Sequence, residues 1–349
     1  MSKQEFFQEL KSKIENVPDD VMEDIFADFN EHFEAGYSDG LSESEICAKL
    51  GQPGNIAEQI MDEFKKSKVE EVHEQGRSFE KIRGGYDVYI DEVYSGVNSV
   101  NVDMIVSDVI FVKEHRQDFR VQIKGQSRYD KFILENRNGN LYVASEGPIV
   151  RFEFFSFRNT LVTTIHVPTH FTGEIKAMSG AGKIRAEHLT SNINFTTHAG
   201  SIGVNKHKSE KAVLDSSAGS VDAEFLGEVA IKAHSGAGSI KIKAETTTEL
   251  NLDTGAGSIK AQVDKLTGMS KFSTGAGSVN LTAYDVMGDI KLSSGAGSIK
   301  AFLPKNANIR LKLKKSSMGS VKSEITGNDS SEYTLKASTG VGSVRIKKL

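Results

Sequence analysis

A short glycine motif recurs nine times along this chain and constrains its fold more than any other feature. Residues 254–261 read TGAGSIKA, and related segments return at steps of 18 to 23 residues. A near-constant period of this length is typical of a solenoid, in which each repeat adds one coil. The second glycine of each copy is Gly182, Gly200, Gly219, Gly238, Gly257, Gly277, Gly297, Gly319 and Gly342.

Apolar and polar residues alternate on both sides of each motif, which is the strand pattern. Each unit therefore predicts a strand, a glycine bend that a Cβ would oppose, a second strand and a return loop. Coils must stack about 4.8 Å apart to bury their apolar sides. Alanines such as Ala237 and Ala256 are small where we expect two faces of a narrow coil to meet. One interior column should contain Ile184, Ile202, Val221, Ile240, Ile259, Val279, Ile299, Val321 and Val344.

Composition restricts the compartment. The single cysteine, Cys47, excludes an intrachain disulfide framework and suits a reducing environment. The charged N-terminus lacks the apolar core of a signal peptide, and no run of about 18 apolar residues predicts a transmembrane helix. The predicted location is cytoplasmic, with peripheral membrane association left open.

Charge is distributed unevenly. Residues 1–75 contain 7 Lys+Arg and 19 Asp+Glu, residues 76–178 contain 13 of each, and residues 179–349 contain 23 and 15. An acidic N-terminal region therefore precedes a basic C-terminal one, and such asymmetry bears on partners rather than on fold.

Residues 1–68 predict a small helical bundle. Phe6, Leu10 and Ile14 have helical spacing, and Pro18 fits the start of a second helix whose apolar positions continue to Phe33. Ser42 and Glu45 have the spacing of a capping box. A fourth helix should begin at residues 53–55 and end near residue 68.

This segment resembles the HAAS-type bacterial signalling domain. The resemblance includes Glu31-His32-Phe33, Gly36, Gly40, Ser42, Glu45 and the turn Leu50-Gly51-Gln52-Pro53. It implies a signalling role beside PadR-like regulators and envelope-stress operons, a protein partner for the acidic helical region, and no catalytic residue.

Strand patterns follow a polar linker and entry strand at residues 69–96. Residues 97–178 predict irregular coils that cap the array, and residues 179–349 predict the regular repeats. Residues 97–349 resemble the putative-adhesin family of β-solenoid domains, through the strand pair 100–112 around Ser107-Asp108, the strand end His166-Val167-Pro168, and the glycine motif itself. The expected fold is mainly β, a stacked-coil β-solenoid of about 20 residues per coil with an all-α N-terminal bundle.

The sequence gives little support for a catalytic site or a cofactor-binding site. A dinucleotide loop needs a third glycine and a following helix, whereas here a strand follows each GxG. His166 and His170 flank Pro168, which prevents a shared helical face, and no zinc-ligand spacing exists. A polysaccharide-active β-helix enzyme would need paired carboxylates and aromatic platforms. The chain has no Trp, and its solenoid carboxylates occupy non-equivalent positions: Asp222, Asp253, Asp264, Asp285 and Asp289.

The serine after each glycine pair is better explained as a corner residue that hydrogen-bonds the backbone than as a nucleophile, because eight equivalents exist. They are Ser201, Ser220, Ser239, Ser258, Ser278, Ser298, Ser320 and Ser343.

The outward position after each interior Ile or Val is the first candidate interaction site. Six of its nine residues are cationic, and stacking would align them in a basic stripe: Arg185, Lys241, Lys260, Lys300, Lys322 and Arg345. The stripe is either a solvated face that resists aggregation, a site for a polyanion such as an anionic membrane surface, or a dock for the acidic helices.

The second candidate is an apolar patch between two arginines. Phe152, Phe154, Phe155 and Phe157 could contact a membrane or partner, or cap the apolar end of the solenoid.

The predicted function is therefore a non-enzymatic scaffold in bacterial signalling or envelope stress, with the solenoid as binding surface and the helical region as adaptor. No cofactor and no specific nucleic acid are expected, and an oligomer is left open. The alternatives are a surface adhesin and a polysaccharide-active enzyme.

Overall fold

The computed structural model describes residues 1–14, 22, 25–26, 29–30, 33–34, 36–37, 40–66, 77–82, 85–127, 131–146, 161–314, 316 and 318–349. The chain forms two compact units, and the second comprises Ile90–Lys124, Phe132–Glu146 and Leu161–Leu349.

Helices occupy the N-terminal region, as predicted. The helices with defined bounds are α1 (Lys3–Lys13), α2 (Glu43–Leu50) and α3 (Pro53–Lys66). The described residues between Met22 and Tyr37 are also helical, whereas Pro18 lies outside the described residues. Glu45 closes the predicted capping box at Ser42, where its carboxylate accepts the backbone N–H at 2.8 Å. The core of this region is Phe6, Leu10, Ile14, Phe29, Phe33, Ile46, Cys47, Ile56 and Ala57.

Strands make up the rest of the described structure. Their bounds are β1 (Arg77–Ile82), β2 (Gly85–Tyr94), β3 (Ser99–Val106), β4 (Asp108–Glu114), β5 (Phe119–Ser127), β6 (Lys131–Arg137), β7 (Asn140–Glu146), β8 (Val162–Pro168), β9 (Glu174–Ala181), β10 (Ile184–Glu187), β11 (Ile193–Thr197), β12 (Ile202–His207), β13 (Lys211–Ser216), β14 (Val221–Ser235), β15 (Ile240–Thr254), β16 (Ile259–Leu266), β17 (Ser270–Ala276), β18 (Val279–Val286), β19 (Ile290–Ala296), β20 (Ile299–Leu303), β21 (Arg310–Lys314), β22 (Val321–Ser323), β23 (Thr334–Val341) and β24 (Val344–Lys348).

Two parallel ladders build the solenoid. The first ladder contains the strands that follow the glycine motif, in the order β8–β4–β10–β12–β14–β15–β16–β18–β20–β24–β22. The second ladder contains the strands that precede it, in the order β7–β3–β9–β11–β13–β14–β15–β17–β19–β23–β21. The stacked-coil β architecture predicted from the repeats is therefore confirmed.

The interior lies between the two ladders. Ile259 is fully buried, as are its equivalents from Ile184 to Ile299. The rings of Phe111 on β4 and Phe195 on β11 stack across this core with centroids 5.4 Å apart. Ala237 and Ala256 are exposed at the corner, where the strand of the second ladder gives way to the strand of the first. They follow the last inward hydroxyl of the preceding strand, where the chain turns outward.

The stacking order departs from the chain order at both ends. The β3–β4 coil has the β7–β8 coil on one side and the β9–β10 coil on the other. At the C-terminal end, the β23–β24 coil lies between the β19–β20 coil and the β21–β22 coil. The interior column therefore ends with Val344 and then the half-buried Val321. The last residues of the chain consequently have a coil on each side.

β5 adds an antiparallel strand at the end of the first ladder. It pairs antiparallel with β8, the outermost strand of the first ladder, so Val121 is opposite Ile165. This antiparallel strand covers the edge that β8 would otherwise expose, and exposed edges favour association with other strands.

Candidate functional site

The glycine corners are structural elements. A Cβ added to Gly257 would overlap the carbonyl oxygen of Gly238 in the preceding coil, and the other corner glycines make the same approach. The dominant requirement is thus close stacking of backbones rather than the turn geometry that the sequence suggested.

Hydroxyl groups lock each corner to its neighbour. The residue before the first glycine points inward and donates to the second glycine of the preceding coil, as Thr254 does to the Gly238 oxygen at 2.8 Å. The serine after the second glycine accepts a backbone N–H from the next coil, as Ser239 Oγ does from Ser258 at 3.2 Å. The predicted backbone-bonding role is therefore confirmed at Ser220, Ser239 and Ser258.

The predicted basic stripe lies in strand register on the outer surface of the first ladder. Asp222, Lys241 and Lys260 are partners on successive strands. Asn280 follows Lys260 and precedes Lys300. Because of the coil order at the C-terminal end, Lys300 is then adjacent to Arg345, and Arg345 to Lys322. Arg185 is separated from the others by Gly203 and Asp222.

Two parts of this stripe differ in electrostatic environment. Lys241 Nζ contacts Asp222 Oδ2 at 2.8 Å, so its charge is partly balanced. Lys260, Lys300, Arg345 and Lys322 form no ion pair with a carboxylate of the described residues. Like charges opposite each other on neighbouring strands repel. The C-terminal half of the stripe is therefore the part with uncompensated positive charge.

A second outward column widens this basic area. Two positions farther along the strands, Lys243 follows Glu224, and Lys347 follows Phe302. The Lys347 ammonium lies 5.8 Å from the centre of the Phe302 ring, a cation–π distance. In the C-terminal half of the first face, the second column therefore adds one cation, Lys347, beside the row.

A shallow depression of about 370 Å³ lies on the same face at Gly203, where the absent side chain leaves space. Arg185, Glu187, Asp222 and Glu224 are among its lining residues. Both charge signs are present, so the depression lacks the uniform positive charge of the C-terminal half.

The second ladder carries a row of lysines that the sequence interpretation missed. Lys271 pairs with Lys291, Lys291 with Lys336, and Lys336 with Lys312. The available signal was a lysine directly after the first interior residue of the strand that precedes the glycine pair in four coils. It was missed because the sequence interpretation followed only the position after the glycine pair.

The apolar candidates Phe152, Phe154, Phe155 and Phe157 lie outside the described residues. Within the described ranges, no three His, Cys, Asp or Glu side chains are grouped as metal ligands. No helix of the described part combines the length and apolar character needed to cross a bilayer.

Two family models match the chain. The model described as Toastrack DUF4097 matches residues 97–348, and the model described as HAAS matches residues 5–59. No curated protein matches the chain.

Solved structures similar to this chain are described as adhesion proteins. A putative adhesin from Parabacteroides distasonis is 14% identical with a TM-score of 0.34, over 75% of this chain and 97% of that one. A putative adhesin from Bacteroides fragilis is 14% identical with a TM-score of 0.32, over 74% and 96%. A putative cell adhesion protein from Clostridium sporogenes is 10% identical with a TM-score of 0.24, over 75% and 100%.

Proposed function

The chain belongs to the Toastrack DUF4097 family, with a HAAS domain at residues 5–59, and from this premise we propose that it is a non-enzymatic scaffold. In this proposal the solenoid is a rigid surface for an anionic partner and the helical region is an adaptor that binds a signalling protein. The proposed location is the cytoplasmic surface of a membrane.

The observation that carries this proposal is the register of Lys300, Arg345 and Lys322 on three adjacent strands. Their spacing is set by the sheet at about 4.8 Å. Hydrogen-bonded corners hold the coils in register, so little order has to be acquired on binding. Pre-organisation of this kind reduces the entropic cost of association.

A flat anionic surface suits the first face better than a narrow ligand does. Lys300, Arg345 and Lys322 form one row, and Lys347 lies beside Arg345 on the same strand. Side chains on one face of a sheet stand in the same direction, so all of them can reach one plane. A basic residue near an anionic bilayer contributes about 1 kcal/mol, which predicts reversible and salt-sensitive association.

The adaptor role rests on the acidic character of the helical region. Residues 1–75 contain 19 Asp+Glu against 7 Lys+Arg, while their described apolar residues form a compact core. A surface of this composition favours a basic protein partner. This acidic surface would also be repelled by an anionic membrane. In this proposal the solenoid therefore binds the membrane, and the helical region binds the signalling protein.

Co-sedimentation of the full chain with phosphatidylglycerol vesicles tests the scaffold surface. We expect binding at low salt, loss of binding as screening increases, and no binding to phosphatidylcholine vesicles. Changing Lys300, Lys322 and Arg345 together to Gln should weaken binding by about tenfold or more.

A matched control separates the stripe from net charge. The variant with Lys183, Lys208 and Lys305 changed to Gln removes the same number of charges at exposed positions outside the stripe. Equal binding by the stripe variant and the control variant would contradict the proposed surface, as would failure of the wild type to bind anionic vesicles.

A further inference from the structure

We propose that the second face of the solenoid binds a linear anionic glycan along the row formed by Lys271, Lys291, Lys336 and Lys312. This site is distinct from the first face in position and in ligand. Its proposed ligand is a soluble polymer, whereas the proposed ligand of the first face is a membrane surface.

The row is continuous and exposed. Its four lysines occupy four adjacent strands, β17, β19, β23 and β21, with a lysine on every strand. All four side chains are exposed. The backbones of adjacent lysines therefore lie about 4.8 Å apart along a line that crosses the strands. No comparable uninterrupted run of four cations exists in the first ladder of the described structure.

The charge of this row is not compensated within the described residues. None of the four lysines forms an ion pair there. Asp289 precedes Lys291 by two residues, but its Oδ1 accepts the backbone N–H of Thr334 at 2.8 Å. Lysines directly opposite each other destabilise a sheet. An anionic ligand would remove this repulsion.

The surroundings of the row favour a narrow, linear ligand. The next outward column consists of Ser273, Ser293 and Ser338, followed by Lys314. Serine side chains are short, so the lysines stand above a low, hydroxyl-bearing floor. A chain lying along the row can place anionic groups against the ammonium groups and its own hydroxyls against the serines.

The chemistry of the floor discriminates among polyanions. Single-stranded nucleic acids bind through aromatic side chains on which the bases stack. The two outward columns of this row contain no aromatic residue on the four strands. Sugar hydroxyls and carboxylates need only hydrogen bonds and cations, which serine and lysine supply. These contacts favour a glycan that carries a carboxylate on each unit.

Fluorescence anisotropy with labelled polygalacturonate tests the site on the full chain. We expect binding at low salt and no binding of neutral dextran. Changing Lys271, Lys291 and Lys336 together to Gln should weaken binding about tenfold or more and reduce the steepness of its salt dependence by roughly two to three. The control variant with Lys183, Lys208 and Lys305 changed to Gln should bind like the wild type.

Four outcomes would overturn the proposal: no binding of polygalacturonate by the wild type, equal weakening in the control variant, loss of binding only when Lys300, Lys322 and Arg345 are changed, or tighter binding of a thymidine oligonucleotide than of polygalacturonate.

Thermal melting provides a second measurement. Because repulsion is relieved, Lys291→Gln should melt at or above the wild-type temperature in low salt, and the wild type should gain stability on adding polygalacturonate. Vesicle binding by the second-face variant separates this site from the scaffold surface, since that binding should be unchanged.

Discussion

Thr254 donates its side-chain hydroxyl to the carbonyl oxygen of Gly238, 2.8 Å away in the preceding coil. The same bond is made by Ser235 to Gly219, Thr274 to Gly257 and Ser294 to Gly277. These hydroxyls connect coils where the backbone turns and the strand ladder is interrupted. These hydrogen bonds give the corner carbonyl groups a partner in the next coil.

We predict that Thr254→Val destabilises the solenoid by about 1–3 kcal/mol, because it leaves the Gly238 carbonyl without its donor while keeping the side-chain volume. Thr254→Ser keeps the hydroxyl and should cost less. Urea unfolding monitored by circular dichroism measures both. A valine variant as stable as the serine variant would show that this hydroxyl contributes nothing.

The second prediction concerns the closeness of the stacked glycines. Gly257→Ala places a methyl group against the Gly238 carbonyl, and the stacked backbone on that side leaves it no room. We expect a loss of about 3 kcal/mol or more from overpacking. Gly203→Ala is the control, because its Cβ would meet only Arg185 Cγ at 3.8 Å. If both alanine variants unfold at the same denaturant concentration, steric exclusion is not the reason for the corner glycine.

The third prediction concerns pH. His207 is fully buried, its Nε2 donates to the Ser191 carbonyl at 2.8 Å, and its Nδ1 has no hydrogen-bond partner among the described residues. Burial, with a smaller contribution from Lys113, lowers the pKa of His207 from 6.5 to about 4. The unfolded chain therefore binds a proton more readily than the folded one between these values.

Stability attributable to neutral His207 should be complete above about pH 6.5 and lost as the pH falls toward 4, by up to about 3 kcal/mol. Urea unfolding at several pH values should show this slope in the wild type and a reduced slope in His207→Gln. Replacing the exposed His198 with Gln should leave the slope unchanged. An unchanged slope in His207→Gln would assign the acid sensitivity to other groups.

The sequence predicted most of the repeat because period-two alternation determines which side of a strand faces inward. Ile259 and Lys260 were therefore placed on the correct sides, and equal motif spacing aligned Lys241 with Lys260. The coil order was not predictable in the same way. Sequential coils are the default neighbours, and the motifs at Gly319 and Gly342 carry nearly the same signal. The motif alone therefore does not determine which of the two coils pairs with β19 and β20.

The exposed lysines of the second ladder illustrate the same limit. Lys291 and Lys336 follow equivalent interior residues, Ile290 and Leu335, but they become neighbours only because β23 pairs with β19. Alternation alone predicts that both lysines point outward. It cannot predict the exchange of the last two coils, which places Lys336 of β23 between Lys291 and Lys312.

The last prediction follows from the position of the C-terminal coil. Gly342 approaches the Gly297 carbonyl, and Gly319 approaches the Gly342 carbonyl, so residues 334–348 fill a slot between two coils. Removing residues 331–349 should expose Leu292 and Ile299 and leave β21 and β22 without their ladder partners. We expect a larger loss of stability than deletion of a terminal coil would cause, measured as a lower melting temperature.

A peptide of residues 331–349 should bind the truncated protein and restore the melting transition, because the slot supplies a ladder partner on each side. At a peptide concentration of about 100 times the dissociation constant, the gain should approach about 2.7 kcal/mol. The same peptide with Val344→Asp would bury an unpaired charge in the interior column and should fail to restore the transition. Stabilisation by both peptides, or by neither, would contradict insertion of this segment between two formed coils.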